Sequence, residues 1–159
     1  MDSVYNGDMD ELWLRPGFLL RRLNQVHHSL FYEAFSGDIT PLQYGLLTLL
    51  ALENSQDQSA LCLSLGADRA TLAKSLDVIK KKGWIVFEAT RQDKRKKIVT
   101  MTKQGKQFLE ESREKMRNVQ LALLAPLSNS QKAMFIDMMK LLVIENNENM
   151  SIPMHQGIK

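Results

Sequence analysis

The sequence predicts a mainly α-helical fold carrying one small β-hairpin, and three observations predict it. Apolar residues recur at helical spacing over most of the 159 residues, with capping residues marking where each helix begins. Residues 84–102 break that pattern: two short runs rich in β-branched and aromatic residues flank the tip RQDKRKK, which carries five positive charges and one negative. Just before it come a short helix, a glycine turn and an amphipathic helix, the order of a winged helix-turn-helix. The expected architecture sets that motif between N- and C-terminal dimerisation helices.

The bulk properties bound the function. The length suits one domain with a real core, and 25% charged with 44% hydrophobic residues is ordinary for a globular protein. No apolar run approaches the roughly 20 residues of a membrane span, and the acidic N-terminus resembles no targeting signal, so a cytoplasmic protein without a membrane partner is expected. A single cysteine, Cys62, excludes an intrachain disulfide and a zinc-binding cysteine cluster. Three histidines form no recognisable ligand set, so neither metal nor cofactor is expected. No nucleophile motif or glycine-rich phosphate loop points to an enzyme. The net charge of +3 is unevenly placed: between Gly66 and Lys103 eleven Lys or Arg stand against four Asp or Glu, a local +7 that leaves −4 elsewhere. Such a concentration suits a polyanion-binding face, because each cation that neutralises a phosphate releases condensed counterions.

The elements follow in order. Residues 1–14 hold four acidic residues and no basic one, and read as a mobile arm. Pro16 suits a first helical turn, and Leu19, Leu23, Val26, Leu30 and Ala34 form a stripe that runs until Gly37. Leu20, Phe31 and Phe35 widen that stripe enough to face a subunit partner as well as the core. Thr40-Pro41-Leu42-Gln43 is a capping box opening a helix with Leu42, Leu46, Leu49 and Leu50 inward. Asp57 caps a short helix, Gln58 to Leu65, with Leu61, Cys62 and Leu65 inward, and Gly66 stops it.

Asp68 then caps the helix from Arg69 to about Lys82, with Leu72, Leu76 and Ile79 on one face. Asp77, on the opposite face, is expected to pair with Lys80 or Lys81. After Gly83, strands are expected over Trp84 to Thr90 and Ile98 to Thr102. Thr102 caps a helix running to about Leu124, ended by Pro126, and Ser128-Asn129-Ser130-Gln131 opens a last one. In that helix Met134, Ile136, Met138, Leu141 and Leu142 are too apolar for a surface element, which argues for burial across a two-fold axis. Residues 146–159 form a polar tail.

With these residues in view, the chain resembles the MarR family of transcriptional regulators over about residues 15–145. The resemblance is carried by TPLQYGLLTLLA (40–51), DRATLAKSLDVIKKKGW (68–84), the wing RQDKRKK with Asp93 and Arg95, and VTMTKQGKQFL (99–109). It implies a homodimer whose dimerisation helices cover residues 15–37 and 103–145, with winged helix-turn-helix units, residues 40–102, reading a palindromic double-stranded DNA operator. It also implies release by a small effector, often an aromatic carboxylate, bound where the winged unit meets the dimerisation helices. Residues 15–31 further resemble the first helix of members that regulate aromatic-acid catabolism.

The candidate DNA-binding residues are Arg69, Thr71, Lys74 and Ser75 on the recognition helix and Asp93, Lys94, Arg95, Lys96 and Lys97 in the wing. Small and polar side chains let a helix approach base edges. Arg95 leads, because Asp93 two residues earlier can aim its guanidinium into a narrow minor groove, while Lys94, Lys96 and Lys97 suit phosphates. The candidate effector residues are Arg15, Arg22, His27 and Tyr44, with His27 on the apolar side of its helix and His28 pointing away. A repressor is the expected role. The alternatives are a redox-responsive regulator of the same fold using Cys62, although a buried thiol with no cation beside it keeps a high pKa, and a winged-helix protein-interaction module.

Overall fold

Caps fix where the helices start, and left-handed residues fix where they turn. The structure, a computed structural model, describes residues 9–53, 55–89 and 97–153. Helix α1 (Met9–Trp13) is a single short turn inside the stretch read as an arm. Helix α2 (Pro16–Phe35) begins with proline in its first turn and ends at Ser36 and Gly37, both at positive φ, which reverse the chain toward α3. Helix α3 (Pro41–Leu52) opens on the expected capping box: the Gln43 N–H donates to Thr40 Oγ1 at 3.2 Å and the Thr40 N–H to Gln43 Oε1 at 3.0 Å.

Strand β1 (Ser55–Asp57) leads into helix α4 (Gln58–Leu65), whose first free N–H groups, from Ser59 and Ala60, both donate to Asp57 Oδ1. Gly66 at φ +60° closes α4, with the Ala67 N–H reaching back to the Cys62 carbonyl. Helix α5 (Arg69–Lys81) follows two residues later, completing the helix-turn-helix. It ends in the same way: Gly83 at φ +74° lets its own N–H reach the Lys80 carbonyl and the Trp84 N–H reach that of Ile79.

Strands β2 (Ile85–Ala89) and β3 (Lys97–Met101) pair antiparallel, with Phe87 opposite Val99 and Ile85 opposite Met101. Strand β1 adds to the other edge of β3, Gln56 opposite Val99, giving the order β1-β3-β2. Helices α6 (Lys103–Leu123) and α7 (Asn129–Glu145) carry the expected Thr102 and Ser128 caps, and a short 3-10 turn (Asn147–Asn149) follows. The fold is therefore mainly helical with a small antiparallel sheet, as expected.

The core lies where α3, α4, α5, the sheet and the first part of α6 meet. Leu46, Leu47 and Leu50 of α3, Leu61 of α4, Leu72, Leu76 and Ile79 of α5, and Ile85 and Val99 of the sheet are fully buried there. The last two turns of α2 close it with Phe31 and Phe35, stacked at 4.4 Å between ring centroids.

Three expectations change. Leu19 and Val26 are not part of the buried stripe: they are 40% and 50% exposed, because the chain's own core reaches only the C-terminal half of α2. Strand β1 stands where only a helix end and a cap were read; Ser, Gln and Asp have little strand preference, and the partner that makes them a strand lies more than 40 residues away. Asp77 forms no ion pair with Lys80 or Lys81 among the described residues; Lys80 instead sets its ammonium 5.0 Å from the Phe87 ring centre.

The full burial of Leu76 yields a stability test. Replacing it with alanine should cost about 2–5 kcal/mol, read as a lower urea midpoint at fixed protein concentration. A change below about 1 kcal/mol would show that the inner face of α5 is not the packed seam described.

Candidate functional site

Helix α5 separates inward and outward chemistry along one amphipathic cylinder. With Leu72, Ser75, Leu76 and Ile79 buried, the residues left open are Arg69, Ala70, Thr71, Ala73, Lys74, Asp77, Val78, Lys80 and Lys81. Arg69, Thr71 and Lys74 are each exposed toward the helix N-terminus, as are their small neighbours Ala70 and Ala73; Thr71 and Lys74 lie on adjacent faces, whereas Arg69 turns toward α4 and lines the groove beside Cys62. Ser75 does not join them: it is only 8% exposed and lies toward the core, since its position falls beside Leu72 and Leu76 on the helix rather than beside Lys74. That is a correction to its place among the base-reading candidates.

The helix N-terminus is held by Asp68, whose Oδ1 accepts the Thr71 N–H at 2.9 Å and whose Oδ2 accepts the Thr71 hydroxyl at 2.7 Å. The Thr71 backbone bond, then its hydroxyl, keep the Asp68 carboxyl below its usual range. The Thr71 hydroxyl hydrogen is therefore engaged, leaving its methyl group and oxygen lone pairs as contacts. At the other end, Lys82 lies 4.9 Å from the centre of the Trp84 ring, so part of the basic run at the helix C-terminus serves packing. In the wing, Asp93, Lys94, Arg95 and Lys96 lie outside the described residues, and Lys97 is described only as the first residue of β3.

Cys62 is buried on α4 beside a groove of about 170 Å³ lined by Gln58, Ser59, Arg69, Leu72 and Ala73. Ile152 of the tail borders the adjoining recess. Contrary to expectation a cation does stand near: Arg69 pulls the thiol pKa down. Burial outweighs it and raises the pKa overall, so the thiolate stays scarce.

Among the effector candidates, the structure gathers two and leaves two apart. His27 is half-buried, its ring 6.1 Å from Phe31, and Tyr44 is buried with its ring 6.1 Å from Phe31 and 5.4 Å from Phe35. Phe31 thus bridges His27 and Tyr44. Arg15, the residue before α2, and Arg22 on its exposed N-terminal part stand away from these rings, Arg15 paired with Glu11 at 2.7 Å and Arg22 donating to Gln25 at 3.1 Å. His28 does not simply point away; it is half-buried too, with Tyr32 at 5.9 Å.

An exposed amphipathic helix docked at a glycine turn behind a short helix, and followed by an antiparallel hairpin, defines a winged-helix DNA-binding protein. Comparison with known proteins agrees. A model of the MarR family matches residues 37–96. A candidate transcriptional regulatory protein for the hcr operon of Thauera aromatica is 28% identical over 134 residues, which span 83% of this chain and 81% of that protein. The crystal structure of the Streptomyces coelicolor transcriptional regulator PcaV, in complex with its natural ligand, superposes with a TM-score of 0.79 at 27% identity, covering 90% of this chain and 97% of that one. A mutant of Escherichia coli MarR complexed with operator DNA shares the fold, with a TM-score of 0.77 at 24% identity over 86% of this chain and 99% of that one. Over residues 37–96 the chain matches the MarR family of winged-helix transcriptional regulators, and the relatives and ligand-bound structure it resembles are transcriptional regulators rather than enzymes.

One titration follows from this geometry. Burial, and secondarily His28, lower the His27 pKa below 6.5. As pH falls, the unfolded chain takes up this proton before the folded one, so stability is full above the unfolded value and is lost as pH drops from about 6.5 toward the lower folded value. A His27→Gln protein should lose less thermal stability than the wild type between about pH 7.5 and 5.5. Superimposable profiles would show that His27 titrates alike in both states.

Proposed function

We propose that this chain is a homodimeric repressor that binds a palindromic operator through α5 and the wing, and that a small aromatic carboxylate releases it. The observation that carries the reading is the division of α5, an inner face fully buried and an outer face leaving Thr71 and Lys74 open, followed in sequence by the basic tip that supplies +4 of the +7 charge of residues 66–103. On this reading Arg69, Thr71 and Lys74 meet base edges, Arg95 enters the minor groove with Asp93 as its support, and Lys94, Lys96 and Lys97 contact phosphates.

The dimer is supported by what the single chain leaves uncovered. No residue of α7 is buried, and Met134, Met138, Leu141, Leu142 and Ile144 are each half exposed or more. Leu19, Leu20 and Val26 of α2 are exposed as well. A 17-residue helix with no buried face gains little from its own chain, and apolar surface on this scale marks an interface. A second copy, placing residues 15–37 and 103–145 of both chains together about a two-fold axis, covers it with the same residues on each side.

For the effector, the ring cluster of Phe31, Phe35 and Tyr44 beside His27 offers aromatic edges and one imidazole, while Arg15 and Arg22, which lie apart from it within one chain, are the candidate guanidiniums for a carboxylate. The likeness to a regulator crystallised with its natural ligand, and to a candidate regulator of the hcr operon, supports a ligand-responsive role. A redox role for Cys62 is less favoured, because its pKa is raised.

Arg95→Ala should abolish sequence-specific gel-shift binding while the dimer stays folded by sedimentation and circular dichroism; unchanged binding would remove Arg95 from the interface. Single alanine variants of Lys94, Lys96 or Lys97 should each reduce the slope of log K against log salt by about one. Aromatic carboxylates that release DNA from the wild type should act more weakly on His27→Ala and Arg15→Ala. A variant responding like the wild type does not line the pocket.

A further inference from the structure

The point where the recognition helix ends is fastened to the start of α6 more closely than a loop connection requires. The Thr102 hydroxyl donates to the Gly83 carbonyl at 2.7 Å and accepts the Gly105 N–H at 3.1 Å, while the Thr102 N–H donates to the Trp84 carbonyl at 2.9 Å. One threonine thereby holds both residues that terminate α5 and the first turn of α6. Gly105 is buried, and a Cβ there would be driven into the Trp84 carbonyl oxygen and to 3.0 Å from Met101 Cγ, so α6 abuts the backbone of the α5 terminus without a side chain between them. The Trp84 and Phe108 rings stack at 3.9 Å and 18°, one turn further along α6. Gln104 covers Gly83, its Oε1 standing 2.8 Å from where a Gly83 Cβ would be.

A cap needs only the Gly105 N–H. The second bond, to Gly83 across 19 residues of sequence, serves no helix end of α6. It satisfies a carbonyl in the turn that aims α5. We propose that Thr102 and Gly105 are positioning residues for DNA recognition: with Trp84 and Phe108 they form a rigid joint that sets the angle of α5 to α6. The two recognition helices of a dimer would then move only as α6 moves. This rests on the reading of α5 as the recognition helix.

The joint makes a prediction that a merely stabilising cap does not. Phosphate contacts tolerate a small rotation of α5, whereas base contacts do not. The full-length wild type is used to select a binding duplex from a randomised pool, and that duplex and poly(dI-dC) are the two probes. Thr102→Val, which keeps the shape and removes the hydroxyl, should weaken binding to the selected duplex by about tenfold or more, the loss of one good base contact. Its affinity for poly(dI-dC) should change by less than about threefold. Thr102→Ser should restore the wild-type ratio, and Gly105→Ala should reproduce the loss. Parallel weakening on both probes, or unchanged binding to both, overturns the proposal; so does a Thr102→Ser ratio no better than that of Thr102→Val. If Gly105→Ala fails to fold, the Thr102 pair decides. A wild type that selects no duplex would refute the recognition-helix reading, and the joint with it.

Discussion

What α5 presents outward depends on what it buries inward. Leu72, Leu76 and Ile79 lie at successive turns and are all but excluded from water, each contributing on the order of 1.5–3 kcal/mol against a core built from α3, α4 and the sheet. That seam fixes the rotation of the helix about its own axis. Rotating it by one residue, about 100°, would expose leucine and bury Lys74 or Asp77, which the low dielectric of the core forbids. The open face is therefore a consequence of the core.

Rotation about the axis is only one of the freedoms to be fixed; the direction of the axis is another. The N-terminal end is set by the short turn from Gly66 to Asp68, and the C-terminal end by Gly83, Trp84 and their bonds to Thr102. Both ends rely on a glycine at positive φ, where a Cβ would be strained. The chain uses the same local device twice, once to place α5 against α4 and once to place it against α6.

Much of this was legible because capping and turning are local chemistry. Thr40, Asp57, Asp68, Thr102 and Ser128 each cap the helix read from them, and Gly66 and Gly83 turn the chain where expected. The illegible parts depend on distant partners. Strand β1 exists only because β3 offers it an edge, and Ser75 turns inward because the core around α5 is wider than a three-residue stripe suggests. The second hydrogen bond of Thr102 could not be read from spacing, since its acceptor lies 19 residues away. Along α2 the stripe Leu19, Leu23, Val26, Leu30 and Ala34 predicts burial, and Leu20, Phe31 and Phe35 predict a face wide enough for a partner as well, whereas the chain by itself buries only Phe31 and Phe35. Periodicity marks a face that will be buried and does not say by which chain.

The exposed apolar faces of α2 and α7 and the exposed polar face of α5 are thus two halves of one requirement. In the proposed dimer another copy covers the first, and the second is then presented twice, at a distance that α6 would set. Hydroxyl-radical footprinting of a duplex selected by the wild-type protein tests this most directly. The account predicts two protected segments related by two-fold symmetry, with centres about one helical turn, roughly 10 base pairs or 34 Å, apart or a multiple of it. A single protected segment, or two without that symmetry and spacing, would contradict it.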